Sequence, residues 1–416
     1  MENRIIGVQE RPPLLKFIPL SFQHLFAMFG STVLVPFLLK VDPSTCLMIN
    51  GFGTLLYIFM TRGKIPSYLG SSFAFISPMT VTIALYGYSA AQAGTLVFGI
   101  TFCILALIIK RVGMGWVYRV FPPAAMGSIA AVIGLELAPV AADMAGLLAK
   151  TPDPKIIFVS LATLAFTIFL SVAMKGFLSV IPVLMGVIFG YVLSFALGIV
   201  DLTAVYAAPW FKMPVLYHPE FNLQAIFITL PATLVVLAEH ISHLVVTGNI
   251  VGKDLMKEPG LHRSLFADGC SNLLSGLFGA TPNTTYGENI GVMAITKVYS
   301  VWVIGGAAVL AILFSFVGKL AELIKSIPVP VMGGICLLLF GVIAASGIRM
   351  LVDSKIDYSK QKNLILTAIV LSVGVSGAKL TLGVVSLQGM ALASVVAIVL
   401  SATFEILAQI TGNDNG

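Results

Sequence analysis

Charge is scarce in this sequence. Lys, Arg, Asp and Glu together make up 10% of its 416 residues, where a soluble domain carries about 25%. So few polar side chains could not cover a soluble chain of this size, which excludes an ordinary cytosolic enzyme. Cysteine is scarce too. Cys46, Cys103, Cys270 and Cys336 lie in or beside apolar runs and form no CxxC pair, which argues against a metal site or a disulfide framework. No P-loop, GxGxxG or HExxH pattern occurs. No nucleophile–base pair stands out, and no stretch between apolar runs could build a soluble domain. Neither a nucleotide-driven motor nor an enzyme is expected, and no cofactor or metal. The opening MENRIIGVQERPPLLK carries charges of both signs and a Pro pair before the first apolar run, unlike a signal peptide.

What is abundant is apolar. Hydrophobic residues make up 58% of the chain and the mean hydropathy is +1.01, which excludes disorder and points to a lipid bilayer as solvent. The net charge of +6 is scattered in short clusters with no basic stripe, so no nucleic-acid partner is expected. With about 20 residues per spanning helix, the apolar runs predict an all-α polytopic protein of fourteen spans. The first seven are 17–39, 45–61, 70–87, 90–110, 121–147, 155–174 and 177–200. The second seven are 223–250, 264–280, 286–297, 299–319, 327–350, 361–377 and 385–410. With a cytoplasmic N-terminus, 17 of the 24 Lys and Arg fall on the cytoplasmic side and 7 on the other. That split follows the positive-inside rule and places both termini in the cytoplasm.

The halves resemble each other in order. Gln23-His24-Leu25 answers Glu239-His240-Ile241, Leu69-Gly70-Ser71-Ser72 answers Phe278-Gly279-Ala280-Thr281, and Ala125 to Ile129 answers Val331 to Ile335, at offsets of 216, 209 and 206. Seven spans is an odd number, so a second copy enters the membrane from the opposite side. A 7+7 inverted repeat is an architecture of secondary transporters, with the substrate site near the midplane.

Two spans are broken in matching places. Gly70 to Pro78 in span three and Gly279 to Asn289 in span ten are extended-looking, rich in Ser, Thr, Gly and Pro, and each is followed by an apolar half-helix. Irregular backbone at membrane depth is tolerated only where protein or water covers it. The free N–H groups of a half-helix start can bind a polar solute.

A charge at the bilayer centre costs about 2.5–3.5 kcal/mol on insertion scales, so buried ionisable groups are functional candidates. Glu239 and His243 in span eight are four residues apart and share a helix face; such a pair can share a proton or stand as a structural ion pair. His240 points elsewhere and reads as structural, as does His24 in span one. Glu288 opens the half-helix of span ten, where a carboxylate is favoured by the dipole in any role. Glu136 reads as structural or gating and Glu405 as solvated. Phe73, within the first break, could stack on a flat ligand or simply pack. Two carboxyl groups, an imidazole, free backbone N–H groups and aromatics suit a small planar molecule with donors and acceptors. A nucleobase fits, and a cation or an amide would satisfy the same groups.

At these positions the sequence resembles the nucleobase–ascorbate transporter family, also described as nucleobase–cation symporters. Glu288-Asn289-Ile290-Gly291 with Thr296-Lys297 matches the family's signature, and Gln23-His24 its second hallmark. Gly70 to Phe75, Ala238-Glu239-His240 and Thr284 to Asn289 are most similar to the bacterial members that carry uracil. The resemblance implies proton-coupled import of uracil by alternating access in a bacterial inner membrane, with the proton as coupling ion. A purine or xanthine permease, or an anion transporter of the same architecture, is the alternative. It implies short antiparallel strands in spans three and ten. It also implies a core domain (1–110 and 223–320) and a gate domain (111–222 and 321–416), with a homodimer through the gate. Carried over by position, Glu239, Glu288, Tyr286 and the backbone N–H groups of Phe73 and Gly287 would hold the base. His243, Glu288 and Glu239 would handle the proton, and Gln23, His24, Thr285 and Asn289 would support them.

Overall fold

Proline and short polar caps open many of the helices, and left-handed residues close several. The computed structural model describes residues 5–113, 115–175, 181–382 and 385–411. Arg4, residues 177–180 at the start of the expected seventh span, and the ends of the expected domains at 1–4 and 412–416 lie outside them.

The expected first span is jointed: α1 (Leu14–Ala27) and α2 (Phe29–Leu39) meet at Met28. Asp42 caps α3 (Pro43–Met60), accepting from the Ser44 N–H at 3.0 Å, with Pro43 at the first helical position. Strand β1 (Leu69–Ser71) follows, then a single 3-10 turn at Phe73–Phe75, the half-helix α4 (Ile76–Tyr86) and the long α5 (Tyr88–Val112). Beyond the short α6 (Gly115–Val120), proline opens α7 (Pro123–Met144), α8 (Pro154–Ala173) and α9 (Pro182–Ala196). After α10 (Thr203–Ala207), the second half starts with α11 (Leu223–Thr229) and α12 (Ala232–Val251), interrupted at Pro231, which has no N–H for the helix ladder. Then come α13 (Leu261–Phe278), strand β2 (Asn283–Thr285), the half-helix α14 (Gly287–Thr296) and α15 (Val301–Ser315). The chain ends with α16 (Gly318–Lys325), α17 (Val329–Asp353), α18 (Gln361–Val375), strands β3 (Lys379–Leu382) and β4 (Val385–Gln388), and α19 (Gly389–Thr411).

Several elements depart from the expected layout, the short α6 and α10 among them, since both stand in expected connections. Helix α16 stands where a connection between spans eleven and twelve was expected, and buries Ala321 and Ile324 on one face. The β3–β4 hairpin takes the first residues of the expected fourteenth span, so α19 starts only at Gly389. Lys379-Leu-Thr-Leu and Val385-Ser-Leu-Gln alternate polar and apolar residues, which is a strand period.

Among the described residues, eight helical segments are long and apolar enough to cross a membrane, and shorter apolar helices cover Phe73–Tyr86, Pro182–Ala196, Val301–Ser315 and Gln361–Val375. Large apolar side chains cover the outside: Leu15, Phe59 and Val172 are 92%, 80% and 82% exposed. Such a surface suits lipid. The packing partners recur in matched pairs. Helix α3 lies on α15 as α13 lies on α5, α8 on α17 as α18 on α7, and α8 on α9 as α18 on α19. Helices α7 and α17 pack on each other, and so do β1 and β2. At the α5–α13 crossing, a Cβ on Gly99 would lie 2.8 Å from the Gly269 carbonyl oxygen, and the converse holds. Only glycine permits that approach.

Candidate functional site

The two broken stretches meet. β1 and β2 pair antiparallel, Leu69 opposite Thr285, Gly70 opposite Thr284 and Ser71 opposite Asn283. The ladder runs on through Ser72 N–H to Pro282 O (2.8 Å) and Tyr286 N–H to Tyr68 O (2.9 Å). Two strands this short would not stand alone, and side chains of the flanking helices hold them. Thr54 of α3 accepts from the Leu69 N–H at 2.9 Å. Asn272 of α13 accepts from the Asn283 N–H at 2.8 Å and donates to its carbonyl at 2.9 Å. Gly70 is required where it stands, because an added Cβ would fall inside the Tyr286 ring. That ring stacks on Tyr68, with centroids 6.4 Å apart, and its hydroxyl donates to Ser71 O at 3.3 Å.

The 3-10 turn at Phe73 and the first turn of α14 at Gly287 start beside this crossing. First-turn N–H groups have no partner within their own helix. Glu288 sits in that first turn and accepts from the Ser31 hydroxyl of α2 at 3.0 Å. Glu239, on the neighbouring α12, lies within electrostatic range of Glu288 and of Asp268. Its Oε2 is buried without a hydrogen-bond partner. An unpartnered carboxylate oxygen at depth is costly unless something else meets it. Glu239, His243 and Glu288 are half-buried and Gly287 is exposed, so the four border open space. The Phe73 ring meets Phe340 of α17 edge-on at 6.1 Å.

The elements that carry the expected site residues pack on one another, with some side-chain partners other than those anticipated. His243 does not bond to Glu239, despite the shared helix face. Its Nδ1 lies 3.1 Å from the Thr285 hydroxyl, because β2 runs against α12 and offers a polar partner. His24 meets Asn289, with Nδ2 3.1 Å from the ring Nδ1 and 3.3 Å from the His24 carbonyl, tying α1 to α14. Gln23 is buried beside it. His240 is fully buried: Nδ1 lies 2.8 Å from Asp268 and Nε2 2.8 Å from the Ser264 hydroxyl. Glu136 of α7 accepts from the Met390 N–H at 2.7 Å, capping α19.

Sequence reasoning passed over Asp268. It is fully buried in α13, and accepts from Thr284 at 3.3 Å and Asn272 at 3.0 Å as well as meeting His240. The cue that singled out Glu239, an ionisable group inside an apolar run, applies equally to LFADGCSNLL. Ser31 had no such cue, since a serine in an apolar helix is unremarkable until its neighbour is known.

A permease family model matches residues 15–383. The chain belongs to this permease family. The family resemblance carried by Gln23-His24 and Glu288-Asn289 is upheld. The permease is 61% identical over 410 residues to the uracil permease of Escherichia coli strain K12, covering 98% of this chain and 95% of that one. It is 59% identical over 413 residues to the uracil permease of Paenibacillus larvae, covering 98% of each. These relatives are permeases, not enzymes, and the permease is a multi-pass membrane protein. Among solved structures it is similar to the murine Slc26a9 anion transporter in the inward-facing state, with TM-score 0.73 and 11% identity over 96% of this chain and 69% of that one. The transmembrane domain of the cyanobacterial bicarbonate transporter BicA gives 0.65 and 13%, over 96% and 100%. At such identities the likeness is one of fold alone.

Proposed function

We propose that this permease imports uracil across a bacterial cytoplasmic membrane as a proton-coupled symporter working by alternating access. The observation that carries the reading is the unpartnered Oε2 of Glu239 near Glu288 and the start of α14, which no N-cap side chain covers. Uracil has two ring N–H groups and two carbonyls. Glu239 and Glu288 are acceptors for the former. The backbone N–H groups of Phe73 and Gly287 are donors for the latter, with Tyr286 closing one side. The close identity to named uracil permeases supports the choice of base.

Carboxyl groups near enough to interact titrate as a coupled pair, so the proton belongs to the site, with His243 at its edge. A proton entering with the base removes charge from the group that must cross the low-dielectric interior. One charge moved through 100 mV supplies about 2.3 kcal/mol, roughly a fifty-fold concentration ratio. The moving body in this reading is a core domain (1–110 and 223–320) against a gate domain (111–222 and 321–416). The matched packing pairs support a 7+7 inverted repeat of fourteen spans. Cytoplasmic termini and a homodimer through the gate complete it.

The test is uptake of radiolabelled uracil into proteoliposomes under an imposed pH gradient, with uracil, xanthine and hypoxanthine as competitors. Accumulation that collapses with a protonophore and is blocked by uracil alone is expected. Equal competition by the purines would overturn the choice of base. Saturable uptake indifferent to the gradient would overturn the coupling.

A further inference from the structure

We infer that the groove between α1, α3 and α15 is a binding site for an anionic glycerophospholipid, with its phosphate at Arg11 and Arg62. The groove has a volume of about 760 Å³ and opens on the outer surface of the helices. Its polar end is built from three segments. Arg62 follows the C-terminus of α3, Trp302 lies in the first turn of α15, and Arg11 precedes α1. The Arg11 segment is pinned in place: the Val301 N–H donates to Val8 O at 2.9 Å, and the Ser300 hydroxyl to Glu10 O at 2.6 Å. Arg11 lies over the Trp302 ring, 5.4 Å from its centroid. Trp302 is half exposed, as expected of an aromatic side chain at the membrane–water boundary. Glu10 accepts from the Gly7 N–H and is not part of the groove lining.

Away from the arginines and the neighbouring Gln9 the lining is apolar except for Ser21, whose hydroxyl is spent on the Val303 carbonyl. Leu55 lies seven residues back along α3 from Arg62, and Leu310 eight along α15 from Trp302. At 1.5 Å per residue these are depths of roughly 10–12 Å, the distance from a phosphate into the upper acyl chain. The slot has room over Gly305: a Cβ there would come no closer than 3.8 Å to Leu55 and Ile58. Paired cations at the boundary above an apolar slot complement an anionic lipid and not a zwitterionic one. The positive-inside count puts Arg11 and Arg62 on the cytoplasmic side, where anionic lipids lie within reach. The inference does not depend on the proposed substrate.

The test is native mass spectrometry of the full-length protein in neutral detergent. Dioleoylphosphatidylglycerol is titrated against dioleoylphosphatidylcholine, with glycerol 3-phosphate as a soluble headgroup probe. The wild type is expected to retain phosphatidylglycerol preferentially, with glycerol 3-phosphate a poor competitor. In R11Q/R62Q its affinity should fall about thirty-fold, from roughly 1 kcal/mol per basic residue, to that of phosphatidylcholine. In Gly305→Leu, which fills the slot without touching the arginines, both lipids should be lost. Equal retention of the two lipids by the wild type would overturn the inference without recourse to any variant. So would a preference that survives R11Q/R62Q, or displacement of the lipid by glycerol 3-phosphate at equal concentration.

Discussion

Asp268→Ala should damage this protein more than any other single polar substitution behind the strand crossing. The carboxylate can only accept, so His240 Nδ1 donates to it. Nε2 then accepts from the Ser264 hydroxyl, and Ser264 in turn shares a 2.6 Å bond with Tyr57. Thr284 and Asn272 also donate to Asp268. Alanine leaves the imidazole and the Thr284 hydroxyl without acceptors in a site closed to water, while Asn272 keeps its bonds to the Asp268 and Asn283 carbonyls. Each buried donor left without an acceptor costs about 1–3 kcal/mol, and alanine leaves two. Asp268→Asn preserves the shape. Its carbonyl can face His240 and Thr284, leaving one donor–donor conflict with Asn272, worth about 1–3 kcal/mol. Melting of the detergent-purified protein should therefore rank wild type above Asp268→Asn above Asp268→Ala. Because Thr284 lies in β2, ligand affinity should fall in the same order. An alanine variant that melts with the wild type, or an asparagine variant below alanine, would refute the assigned network.

Glu239→Gln keeps the shape but removes the ionisable acceptor, so equilibrium binding of labelled uracil should weaken at least tenfold; unchanged affinity would discard its assigned role. Gly70→Ala drives a Cβ into the Tyr286 ring and should cost about 1–3 kcal/mol as overpacking. Adding Tyr286→Ala should recover part of that melting loss, and strict additivity in the double-mutant cycle would contradict the clash. Glu136→Ala removes a charge-assisted bond to the Met390 N–H, worth about 1.5–3 kcal/mol. Melting should drop while uracil affinity holds, and a variant with lost affinity and unaltered melting would place Glu136 in the binding site.

The site was partly legible in the sequence because lipid makes polar groups conspicuous. Glu239 and Glu288 stand out since each costs free energy at depth, and the Ser, Thr, Gly and Pro of the two broken stretches stand out since an apolar helix would not carry them. The same logic reaches Asp268, but nothing local says that it faces His240, 28 residues back and on another helix. The i,i+4 spacing of Glu239 and His243 is real, yet helical spacing says only which side chains could meet. β2, arriving from elsewhere in the chain, supplies Thr285 and takes the imidazole.

What the sequence determined alone is the solvent of this protein, the placement of most of its apolar helices and the family to which it belongs. Those follow from composition, from hydrophobic runs and from a few motifs, all local properties. Only the tertiary structure decided the register of β1 on β2, the partners of His243, His240 and Glu288, the cap that Glu136 places on α19, and the groove beneath Arg11 and Arg62. Each depends on residues far apart in the chain converging on one point. The hydrogen bonds that choose among such partners exist only once the helices have packed.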